Sequence, residues 1–318
     1  GGKQKEDAQS RKEWTRYEKA IILVFDFDSL TLVKKIEYVS PREATPESEY
    51  NVLFKAGDIH NNILYVCTQT EVLMYELPSF KQVGYVSHPW FNDVHHVRLS
   101  PEGNLVIANT GLDNVLIVNP KGEMIKEISA LGQNTWDRFN PETDYRKILT
   151  TKPHYAHNNY TFYINNELWT TRLMQKDAIN LENPDEKIKI EVEKPHDGLV
   201  VGNSVFFTTV DGHIVEADTI SKMIKQVVPL KPFFKEKNAV GWCRGIAAVG
   251  ENRFITGFSR LRRTPLKENL TWLRGLIDPE SNPLPARIAL LNLETQKAEW
   301  QILLKEYEMD AVFSIIVN

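Results

Sequence analysis

The chain has 318 residues, of which 42% are hydrophobic and 25% charged, with a formal net charge of -4. Those values belong to an ordinary globular chain and exclude collagen-like, coiled-coil and wholly disordered polypeptides. The near-neutral balance lacks the basic footprint of a nucleic-acid binder, and apolar runs such as Ala20 to Phe25 fall far short of the ~20 residues of a membrane helix.

Residues 1–19 are charged and carry no apolar periodicity, so they read as a flexible or loosely helical leader. From Ala20 the texture changes to short runs of Val, Ile, Leu, Phe and Tyr separated by turns, which is strand texture. The segment AIILVFDFDSLTLVKKI reads as two successive strands. Then one unit recurs: a turn, then a strand. Asn61-Asn62 precedes ILYVCT, Gly103-Asn104 precedes LVIANT, and Asn165-Asn166 precedes ELWTT. Gly202-Asn203 precedes SVFFTT, and Glu251-Asn252 precedes RFITGF. Asn and Gly supply the positive φ that tight hairpins need.

Four antiparallel strands recurring every 40–50 residues or so predict an all-β, six-bladed β-propeller. Five blades fall at roughly 51–86, 90–130, 154–192, 195–229 and 241–303. Insertions interrupt the pattern at Gln133 to Thr151 and Arg262 to Pro285. The N-terminal pair of strands and the C-terminal DAVFSIIV are expected to form a sixth blade, so that both ends close one ring over 20–318.

In such a ring the innermost strands start near a common axis, and residues at their starts converge. Counting back from each turn places His96, Asn159, His196, Arg244 and Asp310 there, with Lys55 for the first blade by a weaker match. His157 stands just before Asn159. Of eight histidines, five (His95, His96, His154, His157 and His196) lie at or near these starts. Shared placement on one axis predicts a pocket rather than scattered surface groups. Imidazole can act as nucleophile, general base or metal ligand. Arginine adds fixed charge suited to sulfate, phosphate or carboxylate. Arg260, in the basic run Ser259 to Arg263, is a further candidate for holding an anion.

These residues also resemble a known family. HHVRLSPEGNLVIANT is similar to the His-His-x-x-x-x-Pro-x-Gly-Asn blade start of arylsulfotransferase-type propellers, and HNNYTFYINNELWTTR to their His-x-Asn motif with a later Arg. PHDGLVVGNSVFF is similar to a later His-containing blade start. The resemblance covers blades 2 to 4. It implies sulfuryl transfer between phenolic compounds, through a sulfated histidine, with His96, His157, Asn159, Arg172 and His196 as the matching set. The fifth blade, RGIAAVGENRFITGFSRLRR, resembles a different propeller group of uncharacterised activity.

The expectation is therefore a soluble transferase-like enzyme acting on a small anionic or phenolic substrate. Its catalytic set is His96, His157, His196, Arg244 and Asp310. Its substrate-binding set is Asn159, Arg172, His95, His154 and Arg260. A second reading makes His96, His157 and His196 ligands of a divalent transition metal that supports hydrolase, lyase or oxidative chemistry. A third is a non-catalytic binding platform. Two cysteines, and no signal-peptide pattern, point weakly to a cytoplasmic setting, without nucleic acid or membrane as partner.

Overall fold

The computed structural model describes residues 1–8, 11–235, 240–260 and 284–318. Strands β1 to β23 form six antiparallel sheets, five of four strands and one of three. Each four-stranded sheet follows chain order. The first contains β4 (Gly57–His60), β5 (Ile63–Cys67), β6 (Val72–Glu76) and β7 (Lys81–Val86). The second runs from β8 (Val94–Leu99) to β11 (Met124–Ser129), and the third from β12 (Thr161–Ile164) to β15 (Lys187–Lys189). The fourth spans β16 (Pro195–Val201) to β19 (Ile224–Pro229), and the fifth spans β20 (Trp242–Gly250) to β23 (Lys297–Leu303). All five fall within the blades expected from the sequence.

The turns explain the register. Asn61 and Asn62 sit at φ 49° and 60°, and Asn165 and Asn166 at 52° and 66°. Two consecutive left-handed residues make the tight hairpin whose twist matches the flanking strands. The strands then bury apolar side chains on both faces against the neighbouring sheets. Blades 1 and 2 close on Val72, Phe91, Val97 and Ile107, and blades 3 and 4 on Phe162, Trp169, Val205 and Phe207. Blades 4 and 5 close on Phe206, Ile246, Phe254 and Phe258. Removing one such side chain to Ala costs about 2–5 kcal/mol.

The sixth blade closes the ring with both ends of the chain. Strands β2 (Tyr17–Phe25) and β3 (Leu32–Tyr38) are its outer pair, as expected. Its second strand is β1 (Gly2–Gln4), which pairs with β2 and bridges Ala311 on the other side. The reading of residues 1–19 as a flexible leader is thus corrected: its first residues are strand, and Glu13–Thr15 form a single helical turn. A three-residue strand is too short to show periodicity, and its pairing partner lies at the far end of the chain.

The insertion at 133–151 fastens across blades 1 and 2. Tyr145 N donates to Pro89 O at 2.7 Å, Asn92 Nδ2 donates to the carbonyls of Tyr145 and Ile148, and Trp136 packs on Trp90 at 4.4 Å. The second insertion lies largely outside the described residues, as does the basic run beyond Arg260. Among the described residues no helix is long and apolar enough to cross a membrane.

Candidate functional site

Six side chains, one from each blade, meet on the axis: Lys55, His95, His157, His196, Arg244 and Phe313. The rings of His95 and His157 are 5.2 Å apart, those of His95 and His196 5.9 Å, and those of His196 and Phe313 6.1 Å. The Arg244 guanidinium lies 4.4 Å from the Phe313 ring and 5.1 Å from Trp242. Lys55 Nζ is 3.3 Å from His95 Nδ1 and forms an ion pair with Asp93. Lys55, His95, His196, Arg244 and Phe313 are all buried, and His157 is partly so.

Hydrogen bonding fixes the tautomers. His95 Nδ1 lies 2.7 Å from the Asp93 carbonyl oxygen, which only accepts, so Nδ1 carries the proton and Nε2 is left bare. Thr151 Oγ1 donates to Gly111 O and therefore accepts from His154 Nε2 at 3.3 Å. His154 Nδ1 is then an acceptor, and His157 Nδ1, 3.0 Å away, donates to it. His157 Nε2 is bare as a result. Both ring nitrogens of His196 are buried without a hydrogen-bond partner among the described residues. A buried polar group left in that state costs about 1–3 kcal/mol and calls for an explanation.

Burial holds these imidazoles neutral. It pushes His157 down to about 3, with His154 adding to the shift. It pushes His95 well below the ordinary value, with Lys55 adding, and likewise His196, with Arg244 adding. Lys55 is also lowered by burial, although Asp93 offsets part of that. Burial alone would raise Asp93, yet the Lys55 ammonium paired with it holds it well below the carboxylate range. Neutral imidazoles beside retained cations suit nucleophilic or general-base work on an anion.

Asp113 holds the His157 loop. It is 1% exposed and sits at φ 54°. Its Oδ1 accepts from the backbone N–H of Ala156 and His157, and its Oδ2 from that of Tyr155. Arg138 of the insertion donates to Oδ2 at 2.8 Å and stacks 3.8 Å from the Tyr155 ring. Sequence reading missed Asp113, Asp93 and Phe313. The Gly-free turn Leu112-Asp113-Asn114 was the one signal available for the first, since Asp tolerates a left-handed backbone and binds nearby N–H groups.

Several expected residues lie elsewhere. His96 points away from the axis, between blades 2 and 3, with Nδ1 3.0 Å from Thr161 Oγ1 and its ring 4.8 Å from Tyr160. A register shift between Val94 and His96 turns His95 inward instead. Arg172 is bound bidentately to Asp177 at 2.8 and 2.6 Å and donates to Ala130 O. It braces a hairpin end. Asn159 donates to Pro195 O and joins blades 3 and 4. Asp310 accepts from Gln4 N at the ring seam, where burial raises its pKa. Arg260 stands near Asp310 and lowers it. His154 is at the site, behind His157.

The metal set His96, His157 and His196 is therefore not assembled. Among the described residues no three His, Cys, Asp or Glu side chains are arranged to close on a metal ion. Asp197, next to His196, is a further buried acid. Burial raises it to about 7, although the N–H groups of Gly198 and Gly245 partly offset the shift.

No family model matches the chain, and no curated protein matches it either. Among solved structures, a protein of unknown function from Bacteroides caccae is similar over 99% of this chain and 95% of its own, at 11% identity and a TM-score of 0.60. What the two share is a fold. The chain is a six-bladed β-propeller. Virginiamycin B lyase from Staphylococcus aureus is similar over 64% of this chain and 62% of its own, at 13% identity and a TM-score of 0.42, which is too low to carry an argument.

Proposed function

We propose that this propeller is an enzyme that transfers a sulfuryl-type group between small aryl esters and phenols. The observation that carries the reading is the axial ring: three neutral imidazoles, two with bare Nε2 atoms, set between Lys55 and Arg244. Those two cations suit the oxygens of a sulfate ester, and Phe313 offers a face for an aromatic group. The unpartnered nitrogens of His196 would gain a partner when ligand enters. The sequence resemblance to arylsulfotransferase-type propellers points the same way.

His157 is assigned as nucleophile and His95 as base. Attack by His157 Nε2 on the ester sulfur forms an N–S bond as the S–O bond to the aryl group breaks, and the phenolate leaves with the bonding pair. Positive charge then develops on the His157 ring, whose Nδ1–H is held by neutral His154. In the second half, a phenol attacks sulfur, the N–S bond breaks, and His95 Nε2 takes the phenol's proton.

The test is incubation of the purified protein with 4-nitrophenyl sulfate and a phenol acceptor, followed by peptide mass spectrometry. A peptide containing His157 should gain one sulfuryl group, and His157→Asn should abolish both labelling and transfer. Neither turnover nor labelling across a panel of aryl sulfates and aryl phosphates would overturn the assignment.

A further inference from the structure

The axial ring is buried, so something covers it. The groove of about 330 Å³ lined by Lys5, Arg42, Glu49 and Tyr50 lies at the rim and does not open on the ring. The chain between Arg11 and Arg16 is fastened at the entrances of blades 1 and 3. On one side Asn51 Nδ2 donates to Glu13 O at 2.8 Å, while Asn51 Oδ1 accepts from Tyr17 N at 2.8 Å. Asn51 stands four residues before Lys55. On the other side Glu13 Oε2 is 2.6 Å from Lys152 Nζ, and Lys152 stands two residues before His154. Blade 2, with Asp93 and His95, lies between those two anchor points in the ring. The Glu13 segment thus bridges the two blade entrances that flank the ring's most polar sector.

Both charges reach the histidines. Lys152 acts to lower His157 and Glu13 to raise it, behind the larger effect of burial, and Lys152 also acts on Asp93 and His154. The Glu13 and Lys152 side chains remain 50% and 32% exposed, so this ion pair can exchange partners at low cost. Resting on the reading of the ring as an anion site, we infer that Lys152 is the outer anion-recognition residue of that site, and that Glu13 is the internal competitor an incoming aryl sulfate or phosphate must displace from it. Glu13 then returns to Lys152 once the ester has passed.

The relationship is thermodynamic and needs no covalent step. Removing Glu13's charge leaves Lys152 available and should tighten anion binding. Removing Lys152 should weaken it and, at the same time, make Glu13 irrelevant to it.

The experiment is a double-mutant cycle on the full chain, read by calorimetric titration with 4-nitrophenyl sulfate at low and high sodium chloride. Glu13→Gln should bind about three- to fivefold tighter than the wild type, the scale expected of one exposed ion pair. Lys152→Gln should bind several-fold weaker, and Glu13→Gln added to Lys152→Gln should change nothing further. The gain should shrink in high salt. Binding by the wild type with no gain in Glu13→Gln, or a gain that persists without Lys152, overturns this inference and leaves the ring reading intact. No binding by the wild type or any variant overturns both.

Discussion

His154 Nδ1 and His157 Nδ1 stand 3.0 Å apart, and only one of them can carry a proton. Thr151, which gives its own proton to Gly111 O, decides which. The chain from Gly111 through Thr151 and His154 ends on a bare His157 Nε2. Asp113 adds the mechanical half by holding the His157 backbone N–H at 2.8 Å. One loop thereby has both its position and its tautomer set by groups outside it, as a nucleophile or base requires.

That arrangement predicts a spectroscopic signature. In long-range proton–nitrogen correlation spectra at neutral pH, His157 should appear as the neutral Nδ1–H form. It should not titrate until pH nears about 3. His154→Phe removes the acceptor and should let His157 populate both tautomers, with loss of aryl sulfate turnover of at least about tenfold. An Nε2–H form of wild-type His157 would refute the assigned chain.

The pH dependence of stability has a definite sign. Five histidines are held neutral by burial in the fold: His95, His96, His154, His157 and His196. Unfolded, each takes a proton near pH 6.5. Above that pH both states are neutral and the histidines contribute no slope. Below it the unfolded chain binds more protons, so stability falls on acidification, by up to about 1.4 kcal/mol per pH unit for each imidazole. Asp197 works in the opposite direction: held at about 7 in the fold, it costs stability as pH rises from about 4 towards 7. Asp310, also raised by burial, acts in the same sense as Asp197, but two acids do not offset five bases, so the urea midpoint should drop steeply between pH 6.5 and pH 5. A flat midpoint over that range would mean that the histidines are charged in the fold.

Much of this architecture was legible in the sequence, because the recurring hairpins announce themselves with Asn or Gly at a positive φ and inner strands such as Leu105–Asn109 and Ser204–Thr209 bury both faces. The site was less legible, and the pair His95 and His96 shows why. Strand alternation gives opposite faces to adjacent residues, so a one-residue shift exchanges the axial histidine for the inter-blade one. The shift between Val94 and His96 depends on pairing with Ala108 and Asn109, which no local pattern reports. Asp310 was expected to fill the sixth position on the axis, but the strand passes Gly1-Gly2 at the seam and brings Phe313 there. His157 and His196 both stand on the axis, and His196 is itself the residue passed over by an equivalent shift between Pro195 and Asp197.

Arg172 separates resemblance from geometry. It matches a family motif, yet both arms of its guanidinium are taken by Asp177 and its third contact by Ala130. Arg172→Ala should leave Asp177 buried and uncompensated, costing about 3–5 kcal/mol in urea unfolding. In the fraction that stays folded, affinity for 4-nitrophenyl sulfate should match the wild type. Arg244→Ala should do the reverse, with a large loss of affinity and a smaller loss of stability. Loss of affinity in a stably folded Arg172→Lys variant would return Arg172 to the binding set.

His196 gives the sharpest contrast between stability and function. It is 5% exposed, neither ring nitrogen has a partner among the described residues, and Arg244 and His95 make its protonation still less favourable. A polar ring in that state costs the fold stability, and the proposed function would account for it by a ligand contact. His196→Leu conserves volume approximately and loses no hydrogen bond. It should be neutral or stabilising by about 1–3 kcal/mol in urea unfolding, and it should shallow the acid slope by one imidazole's share. Aryl sulfate binding should fall at least about tenfold. A strongly destabilised His196→Leu with unchanged binding would show that the ring is structural, and it would take the axial site with it.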